Sequence, residues 1–273
     1  MPSCLITGVA RGIGYEFIRQ YSADEKNIVI GIVRNKAATD KKISEDAGIK
    51  DRTNIHILEA DITDYVALKK SAEDTAKITG GSLDYLIANA GIVTMFDAYD
   101  PISKLGDRPE ELTKTMRDLF DINVIANIHL FHLYLPLILK GQAKKVVAIT
   151  SGFADADFTR TYDVPPAALY STSKAALNMI VAKFSAEYRE QGVLFLSVAP
   201  GMVEVGHYKN STEEQLQGLG GLMAKFAEYA PHFEGPDTPE GSVTKVRAVI
   251  DNSSIEKGNG GDFLSQFGNK QWL

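Results

Sequence analysis

The chain of 273 residues contains only one cysteine, Cys4. A single thiol can neither form a disulfide within the chain nor pair with a second thiol around a metal ion, so we expect no internal disulfide and no metal site. Basic residues are also in the minority. The 29 Lys and Arg stand against 35 Asp and Glu, the net charge is −6, and no basic run occurs. We therefore do not expect nucleic acid or an anionic membrane as a partner.

Long apolar runs are missing as well. The longest, residues 128–139, contains two histidines and Pro136 and is shorter than the roughly 20 residues of a membrane-spanning helix. The first residues, Met-Pro-Ser-Cys-Leu-Ile-Thr-Gly, lack the basic region and apolar stretch of a secretion signal. We therefore expect a cytoplasmic protein that does not bind membranes.

Short apolar runs alternate with helix-like segments along the whole chain. Alternating strands and helices indicate right-handed crossovers and a parallel sheet, and continuously apolar strands indicate helices on both faces. No linker divides the chain, so we predict one α/β domain over residues 1–273, a Rossmann-like doubly wound sheet. The predicted strands are residues 4–7, 27–33, 55–59, 83–88, 145–150, 193–198 and 262–267. The predicted helices run from the glycine loop to residue 21, then over 64–79, 110–140, 170–190 and 239–251.

Three glycines, Gly8, Gly12 and Gly14, follow the first predicted strand and open a helix. Glycine lets the backbone approach a pyrophosphate, whose charge is favoured by the free N–H groups at a helix N-terminus. The spacing Gly-x-x-x-Gly-x-Gly therefore predicts a dinucleotide site, with a tight turn that binds nothing as the alternative.

The end of the second strand indicates which dinucleotide is preferred. An acidic residue there would bind the 2′-hydroxyl of NAD, whereas an arginine suits the 2′-phosphate of NADP. This chain has Arg34 at that place, and Arg11 in the glycine loop is a second cation. We predict NADP(H) in preference to NAD(H); two solvated arginines are the alternative.

Tyr170 and Lys174 are spaced to share one face of a helix. A cation close to a phenol lowers its pKa toward values useful for proton transfer. The pair therefore predicts an acid–base site, although a packed tyrosine and a solvated lysine would have the same spacing. Further polar or glycine-rich motifs follow the predicted strands, at what would be one rim of the sheet: Asp61, Asn89-Ala90-Gly91, Ser151 and Pro200-Gly201.

Together these motifs resemble the short-chain dehydrogenase/reductase family over essentially the whole chain. The matching elements are Thr7-Gly8-x-x-x-Gly12-x-Gly14, Asp61, Asn89-Ala90-Gly91, Asn123, Ser151, Tyr170-x-x-x-Lys174 and Pro200-Gly201. Within the family the chain is most similar to sniffer-type carbonyl reductases and to polyketide ketoreductases of the norsolorinic acid type. That finer resemblance lies in Val33-Arg34-Asn35, in the strand from Leu83-Asp84 to Ala88-Asn89-Ala90, and in the tail from Gly261-Asp262-Phe263 to Trp272.

The resemblance implies a role for each catalytic residue. Tyr170 would be the general acid, Ser151 would bind the carbonyl oxygen, Lys174 would lower the pKa of Tyr170 and bind ribose, and Asn123 would hold the water of a proton relay. The implied cofactor-binding residues are Gly8, Arg11, Gly12, Ile13, Gly14, Arg34, Asp61, Ile62, Asn89, Ala90, Gly91, Tyr170, Lys174, Pro200, Gly201 and Val203.

Two features depart from the family pattern. Val205 stands where a threonine often follows Pro-Gly, and the separation of Ser151 from Tyr170 is long, so residues 153–164 are expected to add a pocket wall. A glycine-rich, apolar stretch at 202–236 predicts a substrate lid, with a static surface helix as the alternative. The predicted pocket residues are apolar or aromatic: Met95, Phe96, Phe153, Met202 and Phe226.

We therefore predict NADPH-dependent reduction of a ketone on a hydrophobic small molecule, with a cyclic or aromatic compound as the narrower expectation. NAD-dependent oxidation of a secondary alcohol is the alternative within enzymes, and a dinucleotide-sensing regulator without turnover is the alternative outside them. The long helices at 110–140 and 170–190 could also pair with copies of themselves, so a homodimer or homotetramer is possible.

Overall fold

One sheet of seven parallel strands forms the centre of the computed structural model, which describes residues 2–206 and 212–273. The strands are β1 (Ser3–Thr7), β2 (Ile28–Val33), β3 (Ile55–Glu59), β4 (Tyr85–Ala88), β5 (Lys145–Ile149), β6 (Leu194–Ala199) and β7 (Phe263–Ser265). Their spatial order is β3-β2-β1-β4-β5-β6-β7, and every neighbouring pair is parallel. The predicted doubly wound parallel sheet is confirmed.

Helices cover both faces of this sheet. They are α1 (Gly12–Tyr21), α2 (Lys36–Glu45), α3 (Tyr65–Thr79), α4 (Ile102–Leu105), α5 (Pro109–Phe120), α6 (Ala126–Ile138), α7 (Ala156–Thr161), α8 (Ala168–Tyr188), α9 (Glu213–Tyr229) and α10 (Pro239–Asn252). Phe17 of α1 and Val246 of α10 are buried against one face. Leu68 of α3, Phe131 of α6 and Val181 of α8 are buried against the other. The two cores explain why the strands are apolar on both sides.

Helix α2 was not predicted, and its sequence shows why. Of its ten residues only Thr39 is buried, so it has almost no apolar periodicity. Its start is instead marked by a cap, because the Asn35 side chain accepts a hydrogen bond from the N–H of Ala38. The loop expected between Ser151 and Tyr170 also contains ordered turns, a 3₁₀ turn at Gly152–Ala154 and helix α7.

The predicted helix over residues 110–140 is three segments in line. Helices α5 and α6 are joined by a π-helical turn at Asp121–Ile125. The extra residue in such a turn turns the fully buried Asn123 toward the interior. The combined segment Pro109–Ile138 has the length and composition to cross a membrane, but more than half of its most apolar stretch is buried inside this fold.

The strand order reverses beside β1, which lies between β2 and β4. Chain connections leave this point in opposite directions, so a crevice opens beyond the carboxyl ends of the strands. The candidate functional residues lie at this edge of the sheet.

Candidate active site

The loop after β1 is shaped by its glycines. Gly8 and Gly12 adopt φ values of +74° and +56°, in the left-handed region that favours glycine. A Cβ on Gly14 would collide with the carbonyl oxygen of Gly8. The Thr7 hydroxyl accepts hydrogen bonds from the N–H of Asn89 (3.1 Å) and of Ala90 (2.9 Å), which holds the loop after β4 against the glycine loop. Bare backbone at the start of α1 thereby forms the floor of a cleft.

This cleft has a volume of about 360 Å³ and is lined by residues at the ends of β1 to β4. A strip of glycine backbone at a helix N-terminus fits the pyrophosphate of a dinucleotide. Of the predicted cofactor residues, Gly8, Arg11, Gly12, Ile13, Gly14, Arg34, Asp61, Ile62, Asn89, Ala90 and Gly91 line it. Pro200, Gly201 and Val203 line a second cavity, together with Tyr170. Ile13 and Val205 line both, so the two spaces meet there.

Positive charge gathers at one end of the cleft, where Arg11 and Arg34 are joined by a lysine that the sequence analysis missed. Lys42 of α2 donates to the Ala10 carbonyl in the glycine loop at 3.1 Å. The Asp61 carboxylate lies nearby; hydrogen bonding by the Thr63 N–H is the main cause that lowers its pKa, and the charge of Arg34 contributes. Because α2 was not predicted, Lys42 had no expected place.

Ser151 and Tyr170 line the second cavity. Lys174 lines neither space, but its Nζ would lie 3.4 Å from a Cβ on Gly91, which lines the cleft. Ser151 follows β5 and interacts with the phenol of Tyr170, in the first turn of α8. One turn further along, the Lys174 Nζ lies 5.9 Å from the centre of the Tyr170 ring and donates to the Ile149 carbonyl at 2.9 Å. Lys174 is only 5% exposed, so the alternative of a solvated lysine does not hold.

The pKa values of this group differ from the sequence-based expectation. Desolvation raises the pKa of Tyr170 to about 12; the Ser151 hydroxyl opposes the rise and the Asp97 carboxylate adds to it. Burial lowers the pKa of Lys174 to about 8. The net shift of the Tyr170 pKa is therefore upward where a downward shift was expected, because desolvation of the phenol is its largest cause; Lys174 is not among the causes.

Asn123 reaches the site from the π-helical turn. Its Oδ1 accepts from the N–H of Ile92 at 2.9 Å, and its Nδ2 donates to the Ile92 carbonyl and to the Ser173 Oγ, both at 3.0 Å. The main-chain carbonyl of Asn123 accepts from Asn127 Nδ2 at 2.9 Å. The side chain thus links the loop after β4 to α8, while its contact with a relay water stays a prediction.

The second cavity has a volume of about 270 Å³ and is mainly apolar. It contains four of the five predicted pocket residues. Phe96 is the exception and that prediction is wrong: its ring packs with Leu105 and Leu169 and lies 4.4 Å from the Arg108 guanidinium, in a separate cluster. The apolar and aromatic lining residues include Ile13, Val93, Met95, Tyr99, Phe153, Phe158, Met202, Leu219, Leu222, Phe226, Trp272 and Leu273.

One side of this cavity is an aromatic wall, which we define as Phe153, Phe158, Phe226 and Trp272. Tyr162 and Tyr229 pack with these residues without lining the cavity. The Trp272 indole N–H donates to Asp155 Oδ2 at 2.9 Å, and the Trp272 backbone N–H donates to the Tyr229 hydroxyl at 2.8 Å. The ring centres of Phe158 and Tyr229 are 4.7 Å apart. Three segments far apart in sequence, α7, α9 and the tail after β7, are joined in this way.

Helix α9 lies in the stretch predicted as a lid. It begins with a capping box between Thr212 and Gln215, and Gln215 Nε2 donates to the Met95 carbonyl at 3.3 Å. Gly218 approaches Tyr99 so closely that a Cβ would meet the Tyr99 Cβ at 2.7 Å. The helix thereby contacts the opposite margin of the cavity. Residues 207–211 of the predicted lid lie outside the described residues.

Comparison with known proteins identifies the family. The model of the short chain dehydrogenase family matches residues 3–216. The chain belongs to this family. Among relatives of this short-chain dehydrogenase, the short chain dehydrogenase virK of Hypocrea virens is 52% identical over 273 residues, which cover all of both chains. The short-chain dehydrogenase/reductase iacC of Pestalotiopsis fici is 52% identical over 274 residues, again over all of both chains. The resemblance found in the motifs is confirmed.

Solved structures share the fold of this short-chain dehydrogenase. The NADPH-bound carbonyl reductase from chicken fatty liver matches with a TM-score of 0.71 at 23% identity, covering 98% of each chain. The carbonyl reductase Sniffer of D. melanogaster matches with a TM-score of 0.73 at 23% identity, also over 98% of each chain. The protein is an oxidoreductase of carbonyl and alcohol groups, of a family that uses a nicotinamide dinucleotide.

Proposed function

We propose that this short-chain dehydrogenase reduces the ketone of a hydrophobic, cyclic or aromatic small molecule to a secondary alcohol, using NADPH. The observation that carries the proposal is the position of Tyr170, which lines the apolar cavity with Ser151 and interacts with it. The Nζ of Lys174 lies beside Gly91, which lines the adjoining glycine-floored cleft. A phenol beside a hydroxyl and a buried ammonium is suited to proton transfer at a carbonyl oxygen.

Each group has a defined task in this scheme. With a pKa raised to about 12, Tyr170 holds its proton at neutral pH and can donate it to the carbonyl oxygen. The Ser151 hydroxyl donates a hydrogen bond to the same oxygen and stabilises its developing charge. Lys174, with a pKa near 8, is mostly protonated at pH 7 and stabilises the phenolate left behind. When bound, the nicotinamide supplies the hydride for the carbonyl carbon.

The preference for NADPH rests on the cations at the end of the cleft. Arg11 and Arg34 line it, and Lys42 lies beside the glycine loop. Guanidinium groups suit a 2′-phosphate, and the structurally similar chicken carbonyl reductase was solved with NADPH. Oxidation of an alcohol with NAD⁺ would use the same Tyr170, Lys174 and Ser151, so comparing NADPH with NADH at limiting concentration separates the two activities.

The substrate class follows from the second cavity. Its lining of Phe153, Phe158, Phe226 and Trp272 favours a flat apolar ring system, and we propose α9 as the lid that covers it. We use 1-tetralone, a bicyclic aromatic ketone, as the probe and dihydroxyacetone as the small polar comparison. A kcat/KM higher for dihydroxyacetone than for 1-tetralone would contradict the proposed substrate class.

The decisive experiment on the acid is Tyr170→Phe, assayed as NADPH consumption with 1-tetralone. We expect kcat to fall by about 10³-fold, within the range for loss of a general acid, while the Kd of NADPH stays within a few-fold. Tyr188→Phe is the matched control, because Tyr188 ends the same helix and its ring packs on Phe184 away from the cavity. An unchanged rate in Tyr170→Phe would show that another group is the acid.

A further inference from the structure

A buried carboxylate lies at the N-terminus of the catalytic helix. Asp97, in the segment after β4, is 0% exposed. Its Oδ2 accepts hydrogen bonds from the backbone N–H of Leu169 at 2.9 Å and of Tyr170 at 3.0 Å. Its Oδ1 accepts from the Thr94 hydroxyl at 2.6 Å. Sequence reasoning had assigned no role to this residue, whose partners in α8 lie 72 and 73 positions away.

Helix α8 needs a cap of this kind because its own sequence supplies none. The residue before the helix, Ala167, has no side-chain oxygen, and its φ of +60° lies in the left-handed region that costs a non-glycine residue roughly 1 kcal/mol. The first N–H groups of a helix lack partners within it. Asp97 provides them, and its main-chain carbonyl also accepts from the N–H of Ala167 at 2.8 Å. Backbone and side chain of Asp97 together hold the entry into α8.

The capped residue is Tyr170 itself, so the cap and the reacting phenol belong to one helical turn. Asp97 and Tyr170 also line the same cavity. We propose that Asp97 is a positioning residue of the reaction: it fixes the first turn of α8, and with it the Tyr170 side chain, and it places a carboxylate in the cavity that the phenol lines. This inference rests on the proposed role of Tyr170 as the acid.

The groups around the phenol make the sign of the charge effect clear. Ser151, after β5, lowers the pKa of Tyr170, and Asp97, after β4, raises it. Lys174 of the same helix lies 5.9 Å from the ring centre. The other titratable residue that lines the cavity within the described residues is Tyr99, while α7, α9 and the tail contribute apolar and aromatic groups there. Removing the charge of Asp97 therefore makes the phenol easier to ionise.

Asp97→Asn tests the charge while keeping the shape. The carboxamide oxygen can still accept from the two N–H groups, and its amino group can donate to Thr94. We expect the fall in kcat at high pH, for 1-tetralone reduction, to move to lower pH than in the wild type. The rise in kcat with pH for oxidation of 1-tetralol should move in the same direction. A purely structural cap would change kcat equally at all pH values. Asp100→Asn is the control, since this acid of the same segment pairs with exposed Lys104.

Asp97→Ala tests the cap. Losing both N–H acceptors should lower kcat/KM for 1-tetralone by about 10- to 100-fold, the cost of a small displacement of a reacting group. Amide hydrogen exchange at Leu169 and Tyr170, followed by NMR, should become faster while amides in the middle of α8 keep their protection. This second readout needs no turnover, and an NADPH Kd within a few-fold of wild type checks that the fold is intact.

The outcomes separate the inference from the function beneath it. If Tyr170→Phe abolishes turnover but Asp97→Asn leaves both pH profiles unmoved, the charge effect is overturned and the proposed acid stands. If Asp97→Ala leaves exchange at Leu169 and Tyr170 unchanged, the capping role is overturned. If Tyr170→Phe retains full turnover, the proposed function fails first, and the exchange data alone then decide whether Asp97 caps the helix.

Discussion

The glycine-floored cleft and the apolar cavity meet at Ile13 and Val205 but are built differently. The cleft is lined by short segments at the ends of β1 to β4, and its floor is backbone shaped by Gly8, Gly12 and Gly14. The cavity is lined by residues 93–95 and 97–99, the segment after Ser151, α9 and the tail that contains Trp272. The topology of the sheet therefore determines the shape of the cleft, whereas side-chain packing between distant segments determines the shape of the cavity. Changes in the two should therefore have different consequences.

The largest effect is expected on the free energy of unfolding, when Lys174 is replaced. Burial lowers the pKa of Lys174 from 10.5 to about 8, so folding below pH 8 requires burying a charge, and this cost disappears as the pH rises from about 8 to 10.5. Lys174→Met should therefore raise the free energy of unfolding at pH 7 by roughly 3 kcal/mol while removing turnover. The gain should shrink at pH 10.

Urea unfolding at pH 7 and pH 10 measures this difference. Lys183→Met is the matched control, because Lys183 is exposed on the same helix and its replacement should change stability by less than about 0.5 kcal/mol at either pH. A stability gain for Lys174→Met that is equal at both pH values would argue against burial of the charge as its cause.

Gly14→Ala tests the glycine floor of the cleft. The added Cβ would collide with the carbonyl oxygen of Gly8, which is backbone and cannot rotate away. We expect the free energy of NADPH binding to weaken by about 2 kcal/mol. This corresponds to a rise of about 30-fold in the Kd of NADPH, measured by quenching of protein fluorescence. Gly220→Ala, in the interior of α9 with open space around its Cβ position, should leave that Kd unchanged. Equal NADPH affinities for the Gly14 variant and the wild type would contradict binding of NADPH at the glycine floor of the cleft.

Removing Arg11 and Arg34 from the cleft tests whether they cause the preference for NADPH over NADH. The double variant Arg11→Ala/Arg34→Ala should weaken NADPH binding by about tenfold, roughly 1.5 kcal/mol, the scale of one charged hydrogen bond. NADH carries no 2′-phosphate, so its Kd should change by less than about twofold and serves as the internal control. An equal loss of affinity for both cofactors would mean that the arginines support the structure of the cleft but do not bind the 2′-phosphate.

Gly152→Ala tests the apolar side and is expected to have the smallest effect. A Cβ here would lie 2.6 Å from the Cβ of Trp272, which Asp155 and Tyr229 hold in place. We expect KM for 1-tetralone to rise about fivefold, roughly 1 kcal/mol, with a smaller rise for acetophenone and none in the Kd of NADPH. A change in NADPH affinity without one in KM would reverse the assignment of the two cavities.

The elements predicted best were those whose signals are local. Seven apolar runs became the seven strands, and the i, i+4 spacing of Tyr170 and Lys174 does place both at the site. Glycine spacing, strand ends and one helical turn are each short-range patterns. Helix α2 lacks such a pattern and was missed, and Lys42 was missed with it.

Contacts between residues far apart in the chain could not be predicted from the sequence. Nothing near Asp97 in the chain indicates that its carboxylate caps a helix starting at Ala168. Phe96 and Met95 are adjacent, yet only Met95 lines the cavity. The direction of the Tyr170 pKa depends on how much water the folded protein removes from the phenol, which residue spacing does not reveal.

The π-helical turn lets the segment Pro109–Ile138 hold one residue more than a regular helix of the same length. The wider turn absorbs this residue, so α6 keeps its orientation against α5. Deleting one residue from Asp121–Ile125 would restore uninterrupted α-helical hydrogen bonding and leave Phe131 and Tyr134, now fully enclosed, beside the sheet. The shorter segment would lose the position of Asn123, whose amide joins the loop after β4 to α8. The most regular version of this helix would thus fold and yet lack a complete site.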